Sequence, residues 1–416
     1  MHQSDAPTLI SRTGFFYFPL ALVSRLPFAM MVIGVLTLVV TARGSIELGG
    51  LNSAVVGLGV ACFGPLIGAA ADRFGQRPVL LVAAALNSAA LGALAWAAFG
   101  PAPIWVVFLG SFVVGATVPQ ISPMSRSRLV SIIKHDLPAR TRPRTLSTVL
   151  AYESAADEVV FVFGPVVVGL LATAFGAWAP VAGAGALTLV FVTAFALHRT
   201  GAPETDERAA LRETAPASEL WRPALLVTVL GIFAVGLFFG TMLTSLTAFM
   251  QDRGEAERAG LVYGAMGVGS AILAISVAIM SARFTLRYRW LVFAAIIVAG
   301  GIILQFAEDI PAMILSLGIM GFGIGPLLVT IYSFGALRSP EGRSATVMTM
   351  LGSGIMVGQS AAAALTGMVA AEFGTRTSLA LPLAAALIAL VCGIANWFLT
   401  PSGRSPIPAT GPITHP

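Results

Sequence analysis

From residue 14 to residue 399 the chain alternates long apolar runs with short polar interruptions. Twelve runs stand out, at 14–42, 51–71, 78–99, 103–125, 145–175, 177–198, 223–250, 259–282, 290–307, 311–336, 344–371 and 376–399. About 20 apolar residues in helical form cross the hydrocarbon core of a bilayer, and a helix satisfies its own backbone there. The pattern therefore predicts an all-α integral membrane protein with twelve transmembrane helices. The first run is too long for the apolar region of a cleaved signal peptide and lacks a tidy small-residue cleavage site, so it is read as a helix that stays.

One long polar segment breaks this rhythm. Residues 199–222 hold five acids and four arginines and read as a cytoplasmic linker between an N-terminal six-helix bundle, 1–198, and a C-terminal one, 223–400. Residues 401–416 hold five prolines and no apolar periodicity, which reads as a disordered cytoplasmic tail. A shift of 210 positions lays Gly57 on Gly267, Gly59 on Gly269, Ala61 on Ala271, Arg73 on Arg283, Phe74 on Phe284, Arg77 on Arg287, Leu81 on Leu291, Val82 on Val292 and Ala84 on Ala294. Matching glycines and arginines in matching short loops indicate two halves repeated in parallel.

Composition removes the soluble alternatives. Of 416 residues 57% are hydrophobic and 10% charged, where soluble domains carry about 25% charge. No sphere of this size hides so many apolar side chains from water. Cys62 and Cys392 sit in apolar runs with no partner spacing, and His2, His135, His198 and His415 lie at chain or segment ends, so neither a disulfide framework nor a metal site is expected.

The net charge of +5 would suit nucleic acid, but in a membrane protein basic residues mark cytoplasmic loops. The ends and even-to-odd loops hold nineteen basic residues, among them Arg73, Arg77, Arg126, Arg128, Lys134, Arg140, Arg142 and Arg144. The opposite loops hold Arg43, Arg253, Arg258 and Arg376. Both termini are accordingly expected in the cytoplasm, with the lipid bilayer and a small-molecule substrate as partners and no nucleic acid or obligate protein. Twenty-three arginines against one lysine suit a GC-rich bacterial genome, hence a bacterial cytoplasmic membrane.

The loop after the second run reads Gly68-Ala-Ala-Ala-Asp72-Arg73-Phe74-Gly75-Gln76-Arg77. This ordered set resembles the signature loop of the major facilitator superfamily, and length, span count and half-repeat agree with it over about 390 residues. The resemblance implies a secondary transporter working by alternating access. It also implies that Gly68 permits close helix packing, while Asp72, Arg73 and Arg77 form a charge network, with Gly75 in the turn, that stabilises the outward-facing state. The second-half copy, Ala282-Arg283-Phe284-Thr285-Leu286-Arg287, lacks both the acid and the turn glycine. In run five, Gly164-Pro165-Val-Val-Val-Gly169 resembles the glycine-proline motif of the family's drug/proton antiporters, although Val160 stands where a further glycine is usual. Members of actinobacterial origin with unassigned substrates carry a similar run from Glu153 to Pro165. The arginine and Gln-Gly pair that often open the fourth helix of exporters are missing, and Arg126 and Arg128 read as the cytoplasmic end of run four.

Four ionisable side chains fall inside the runs: Arg25 in the first, and Glu153, Asp157 and Glu158 in the fifth. Charges in a membrane are unfavourable and mark function. Glu153 and Asp157 share a helix face, where two carboxylates repel. At about 1.5 Å per residue, Arg25 lies roughly 17 Å in from residue 14, and the three acids roughly 12, 18 and 20 Å in from residue 145. Arg25 is therefore expected to pair with Glu153 or Asp157, leaving acids to spare. Burial and a neighbouring like charge favour the neutral form of a carboxyl, which is what carrying a proton requires. The competing reading is a wholly structural cluster.

The resemblance places runs one, four, seven and ten around a central cavity. On run seven Phe238, Thr241, Met242 and Ser245 share a face, and on run ten Gly321, Gly325, Leu328 and Tyr332 do. These are the expected substrate contacts, with ordinary helix packing as the alternative. The glycine strings Gly321-Phe-Gly323-Ile-Gly325 and Gly264-Ala-Met-Gly267-Val-Gly269 follow no strand, so they read as helix packing and not as nucleotide loops. No cofactor is expected, only the proton as coupling ion. The function so read is proton-coupled export of a small amphipathic or hydrophobic compound. The alternatives are an uptake symporter for a metabolite or a non-transporting membrane sensor or assembly factor. An enzyme is not expected, because no catalytic constellation is visible.

Overall fold

The computed structural model describes residues 8–201, 215–255, 259–277, 280 and 284–400. Arg283, most of the linker and the tail lie outside these, as do the side chains of Glu158 and Pro165. Twelve long helical segments account for the fold: α1 (Tyr17–Arg43), α2 (Ile46–Phe74), α3 (Gln76–Phe99), α4 (Ile104–Asp136), α5 (Arg142–Phe175), α6 (Ala179–Leu197), α7 (Pro223–Gln251), α8 (Ala259–Ser276), α9 (Leu286–Leu304), α10 (Ile310–Arg338), α11 (Ser344–Phe373) and α12 (Thr375–Leu399). Among the described residues ten of them, all but α5 and α8, are long and apolar enough to cross a membrane. Helix α4 runs eleven residues past the sequence boundary of 125. Large apolar side chains such as Leu66, Val391 and Phe398 stand exposed on the outside of the bundle, and lipid is the solvent that accepts them.

Three spans are irregular, each for a local reason. Pro27 has no N–H to return to Val23, so α1 breaks at Ser24-Arg25, where the chain passes from Tyr17–Val23 to Leu26–Arg43. Pro119 acts likewise in α4, separating Ile104–Ala116 from Ile121–Asp136. In α6 a π-turn covers Thr188–Val192, and the Phe191 carbonyl within it accepts a hydrogen bond from Ser24 Oγ at 2.9 Å. Irregular backbone at membrane depth is tolerated where protein or a cavity satisfies it. Here the three irregularities lie together.

Close helix contacts rest on glycine. A Cβ on Gly115 of α4 would fall on the Val56 carbonyl of α2, and one on Gly59 on the Phe112 carbonyl. The second half repeats this pairing between α8 and α10, where Gly321 and Gly325 meet the Met266 and Ser270 carbonyls. The glycine strings are thus packing surfaces. Gly164 lies against Ala29 of α1, while Gly169 faces open space.

The two halves differ in their cores. Apolar packing in the C-terminal half forms one continuous cluster that includes Phe238, Met242, Trp290, Leu317, Ile324 and Leu351. In the N-terminal half there are two clusters. One gathers Met30, Leu38, Val56, Leu94 and Val114, and the other Tyr17, Leu80, Ile121, Leu129 and Phe195. Between them lies a polar layer at the breaks of α1 and α4.

Replacing Gly115 with Ala should lower the stability of the detergent-solubilised protein by about 1–3 kcal/mol, the usual effect of overpacking a close contact. Gly92→Ala, where nothing lies within 4 Å of the new Cβ, is the control and should not lower it. Thermal unfolding of both variants checks this, and equal melting would rule out the backbone contact as a stabilising feature.

Candidate functional site

The polar layer is built by four side chains from three helices. Arg25, at the α1 break, donates from Nη2 to Glu153 Oε2 at 2.5 Å, and its Nη1 lies 3.3 Å from both the Glu153 carbonyl oxygen and Asp157 Oδ1. Arg126, one turn beyond the α4 break, donates to Asp157 Oδ2 at 2.6 Å and to Ser122 Oγ at 2.6 Å. Ser122 Oγ lies 2.8 Å from each Asp157 oxygen. Ser125 Oγ lies 3.0 Å from Glu153 Oε1 and 2.9 Å from the Tyr17 hydroxyl.

Two arginines thus face two carboxylates in a closed network. Arg25, Arg126 and Glu153 are almost fully buried, whereas the Asp157 side chain is 24% exposed. Ion pairs out of water hold only when each charge is matched and hydrogen-bonded, and the carboxylates meet that condition. The arginines do not quite: Nε of both Arg25 and Arg126 is buried without a hydrogen-bond partner.

The expectation of one arginine against three acids is therefore corrected. Arg126 was read as a cytoplasmic loop residue because Ile121–Asp136 is polar in sequence, yet that segment is helical and packs between α5 and α11. Its signal was Pro119 followed by Ser122 and Arg126 one turn apart on a helix whose Leu129, Val130 and Ile133 are buried. Arg128 is interior as well. It donates to Gln76 Oε1, the Phe195 carbonyl and Thr200 Oγ1, each at 3.1 Å. Arg25 faces both carboxylates, where pairing with one or the other was expected.

A cavity of about 110 Å³ lies against this network, between the halves. Its polar wall is formed by Arg25, Asn87, Gln120, Ser122, Arg126 and Asp157, and its apolar wall by Phe28, Met31, Val160, Val192, Ile355 and Met356. Both ends of the α6 π-turn, Thr188 and Val192, touch it. Of the eight expected substrate contacts only Tyr332 lines it. Phe238, Thr241, Met242 and Ser245 are buried in the C-terminal half, Phe238 and Met242 within its apolar core and Ser245 donating to the Ser378 carbonyl, while Gly236 and Gly240 on the other face of α7 bring it against the α11 backbone. Gly321 and Gly325 pack on α8, and Leu328 belongs to the core. An apolar stripe has the same sequence signature whether it lines a cavity or a core.

Gly75, at φ +86°, turns α2 into α3 in a conformation that disfavours a side chain. Before it, Asp72 reaches across to the other half and accepts hydrogen bonds from Ala345 N at 2.9 Å, Thr346 N at 2.7 Å and Thr346 Oγ1 at 2.6 Å. A carboxylate there matches the positive end of α11. Gly68 permits the approach, because a Cβ would strike Thr349. Arg73 and Arg77 are exposed, with Arg73 lying over the Phe74 ring, which corrects the expected charge network: the partners of Asp72 are the start of α11 and the Thr346 hydroxyl, not the arginines of its own loop. Lys134 closes the neighbouring end of the α10–α11 turn, its Nζ 2.7 Å from the Ala336 carbonyl oxygen. Ser147 and the Val277 carbonyl, at 3.4 Å, join α5 to the end of α8 on the same face. This is also the face on which Arg12 meets Asp136 and Arg199 meets the turn at Gly14. The halves are therefore latched on the termini side.

A family model described as Major Facilitator Superfamily matches residues 17–304 and, in a second overlapping match, 228–415. A multidrug efflux pump, Tap, of Mycolicibacterium fortuitum is 24% identical over 351 residues, covering 80% of this chain and 82% of its own. Among solved structures, a bacterial homologue of the iron transporter ferroportin in an outward-facing state superposes with a TM-score of 0.71 at 16% identity, over 92% of this chain and 98% of that one. The human organic anion transporter MFSD10 gives 0.68 at 16% identity, over 93% and 100%. At such identities the structures attest the fold alone.

Two variants probe the contacts. Asp72→Asn should loosen the termini-side latch, so that a cysteine placed at buried Thr349, in a background without Cys62 and Cys392, is labelled by a maleimide roughly two- to tenfold faster, the range expected for an acid at a helix N-terminus. Unchanged labelling would show that the carboxylate does not hold the halves. Arg25→Gln should sharply reduce folded yield, and adding Glu153→Gln should restore part of it, because a lone buried charge is worse than none. Strictly additive losses, read by size-exclusion profile, would exclude the pairing.

Proposed function

The chain belongs to the major facilitator superfamily, and we propose that it couples the inward movement of protons to the export of a small amphipathic or hydrophobic compound across a bacterial cytoplasmic membrane. The observation that carries this reading is Asp157. It is the carboxylate of the network with a partly exposed side chain on the cavity, and it is held by an arginine from each of two broken helices.

Protonation of Asp157 removes the counter-ion of Arg126 while the guanidinium stays 2% exposed. A buried cation without its partner is unfavourable by several kcal/mol, roughly the scale on which two packed arrangements differ. Parting of the halves on the termini side admits water to the guanidinium and removes that penalty. The proton then leaves to that side, Asp157 regains its charge, and closure is favourable again. Proton and substrate compete for the same carboxylate, so binding of one weakens binding of the other by an equal factor.

Substrate size and chemistry follow from the walls. Drug-sized ligands occupy roughly 300–1,000 Å³, more than the cavity of about 110 Å³ holds, so the substrate enters as the halves part. A wall of methionine, valine and isoleucine facing one that carries Arg25, Arg126 and Asp157 favours an amphipathic molecule whose apolar part is held by burial. The efflux activity named for the mycolicibacterial relative supports export, and the excess of basic residues on the termini face supports cytoplasmic termini.

The test is transport in proteoliposomes under an imposed pH gradient, with a fluorescent amphipathic cation such as ethidium as probe. Asp157→Asn should lose gradient-driven transport at least about tenfold, the expected effect of removing the group that carries the proton. If Asp157→Asn keeps both the rate and its pH dependence, or if the wild-type protein moves no protons in response to the probe, the proton-coupled reading is wrong.

A further inference from the structure

Arg126 has two faces, and only one is taken up by the ion network. Its edge is turned to Asp157 and Ser122, both in the N-terminal half. Its flat face lies over the ring of Tyr332 on α10, with the guanidinium carbon 3.9 Å from the ring centroid. Tyr332 belongs to the C-terminal half and is 3% exposed. The contact therefore joins the charge network directly to the opposite half, on the wall of the cavity.

We propose that Tyr332 is a positioning residue that reads the charge state of Asp157 through Arg126 and so sets how readily the two halves part. The inference rests on the protonation of Asp157 proposed above. The negative face of an aromatic ring attracts a cation most strongly when the cation is desolvated. While Asp157 is ionised, the carboxylate satisfies the guanidinium and the ring adds little. Once Asp157 is neutral, the ring is the main group from the other half that still stabilises the buried cation, so it retards opening. Tyr332 thereby fixes the pH at which protonation opens the termini side.

The surroundings supply few competitors. The charged and titratable groups facing Asp157 and Arg126 are Arg25 from α1, Glu153 from α5 and Tyr332 from α10. From α8, packed along α5, the only ionisable side chain is Tyr263. From α11 the cavity receives Gly352, Ile355 and Met356, none of them ionisable. Pro27 and Pro119 hold the two arginines at fixed breaks, so the guanidinium of Arg126 meets the ring in a set geometry.

The experiment measures the distance between spin labels at exposed Arg77 and Glu341, one on each half at the termini face, in the cysteine-free full chain as a function of pH. Removing the ring with Tyr332→Leu should raise the pH midpoint of opening by about one unit, since a desolvated cation–π contact corresponds to roughly tenfold in an equilibrium constant. Tyr332→Phe, which keeps the ring, should stay close to wild type. In an Arg126→Gln background Tyr332→Leu should cause no further shift. An unchanged midpoint in Tyr332→Leu, an equal shift in Tyr332→Phe, or a full shift without Arg126 would each overturn the assignment. Asp157→Asn separates the two readings. If it leaves the pH dependence of the distance intact, protonation of Asp157 is not the trigger, and the Tyr332→Leu shift in open population at one pH, with and without Arg126, still decides whether the contact holds the halves.

Discussion

Two arginines and two carboxylates in the middle of a membrane protein are tolerable only as a complete set. Remove one and its partner becomes an unmatched charge in a medium of low dielectric. The rest of the N-terminal half is arranged around that requirement. The breaks of α1 and α4 place guanidiniums where carboxylates on α5 can meet them, and the π-turn of α6 offers a carbonyl to the broken end of α1. The apolar core is divided in two to leave room. Among the described residues the C-terminal half has no such layer, and its core is continuous.

That asymmetry assigns different work to two halves built on the same plan. Packing of α2 on α4 and of α8 on α10 uses glycine in equivalent places, which preserves the mechanical frame of the repeat. The chemistry did not repeat. One half carries charge, while the other presents a ring, a glycine and aliphatic side chains to the cavity. A rigid apolar body closing on a charged one is a workable two-state element, because a small change in the charge of one partner alters the free energy of contact without altering its shape.

Much of this was legible in the sequence. Twelve apolar runs, a ten-residue loop with its acid and glycines in order, and the charged residues within apolar runs sufficed for the fold, for Asp72 as a contact residue though not for its partners, and for three members of the quartet. Arg126 was hidden because the segment after Pro119 is as polar as a loop. Whether a polar helix is buried depends on what packs on it from elsewhere in the chain, here α5 and α11. The stripe on α7 was misleading for the converse reason. Phe238 and Met242 satisfy an apolar neighbour equally well whether that neighbour is substrate or the core of their own half, and the folded chain buries them in that core.

The hydrogen bond from Lys134 to the Ala336 carbonyl has a practical corollary. This is the one lysine in the chain, and its amine is engaged across the seam only while the seam is shut. Reagents that acylate primary amines thus have a single side-chain target in the whole molecule, placed at the boundary between the moving parts. Without any engineered label, the chain carries its own chemical gauge of how often that boundary opens.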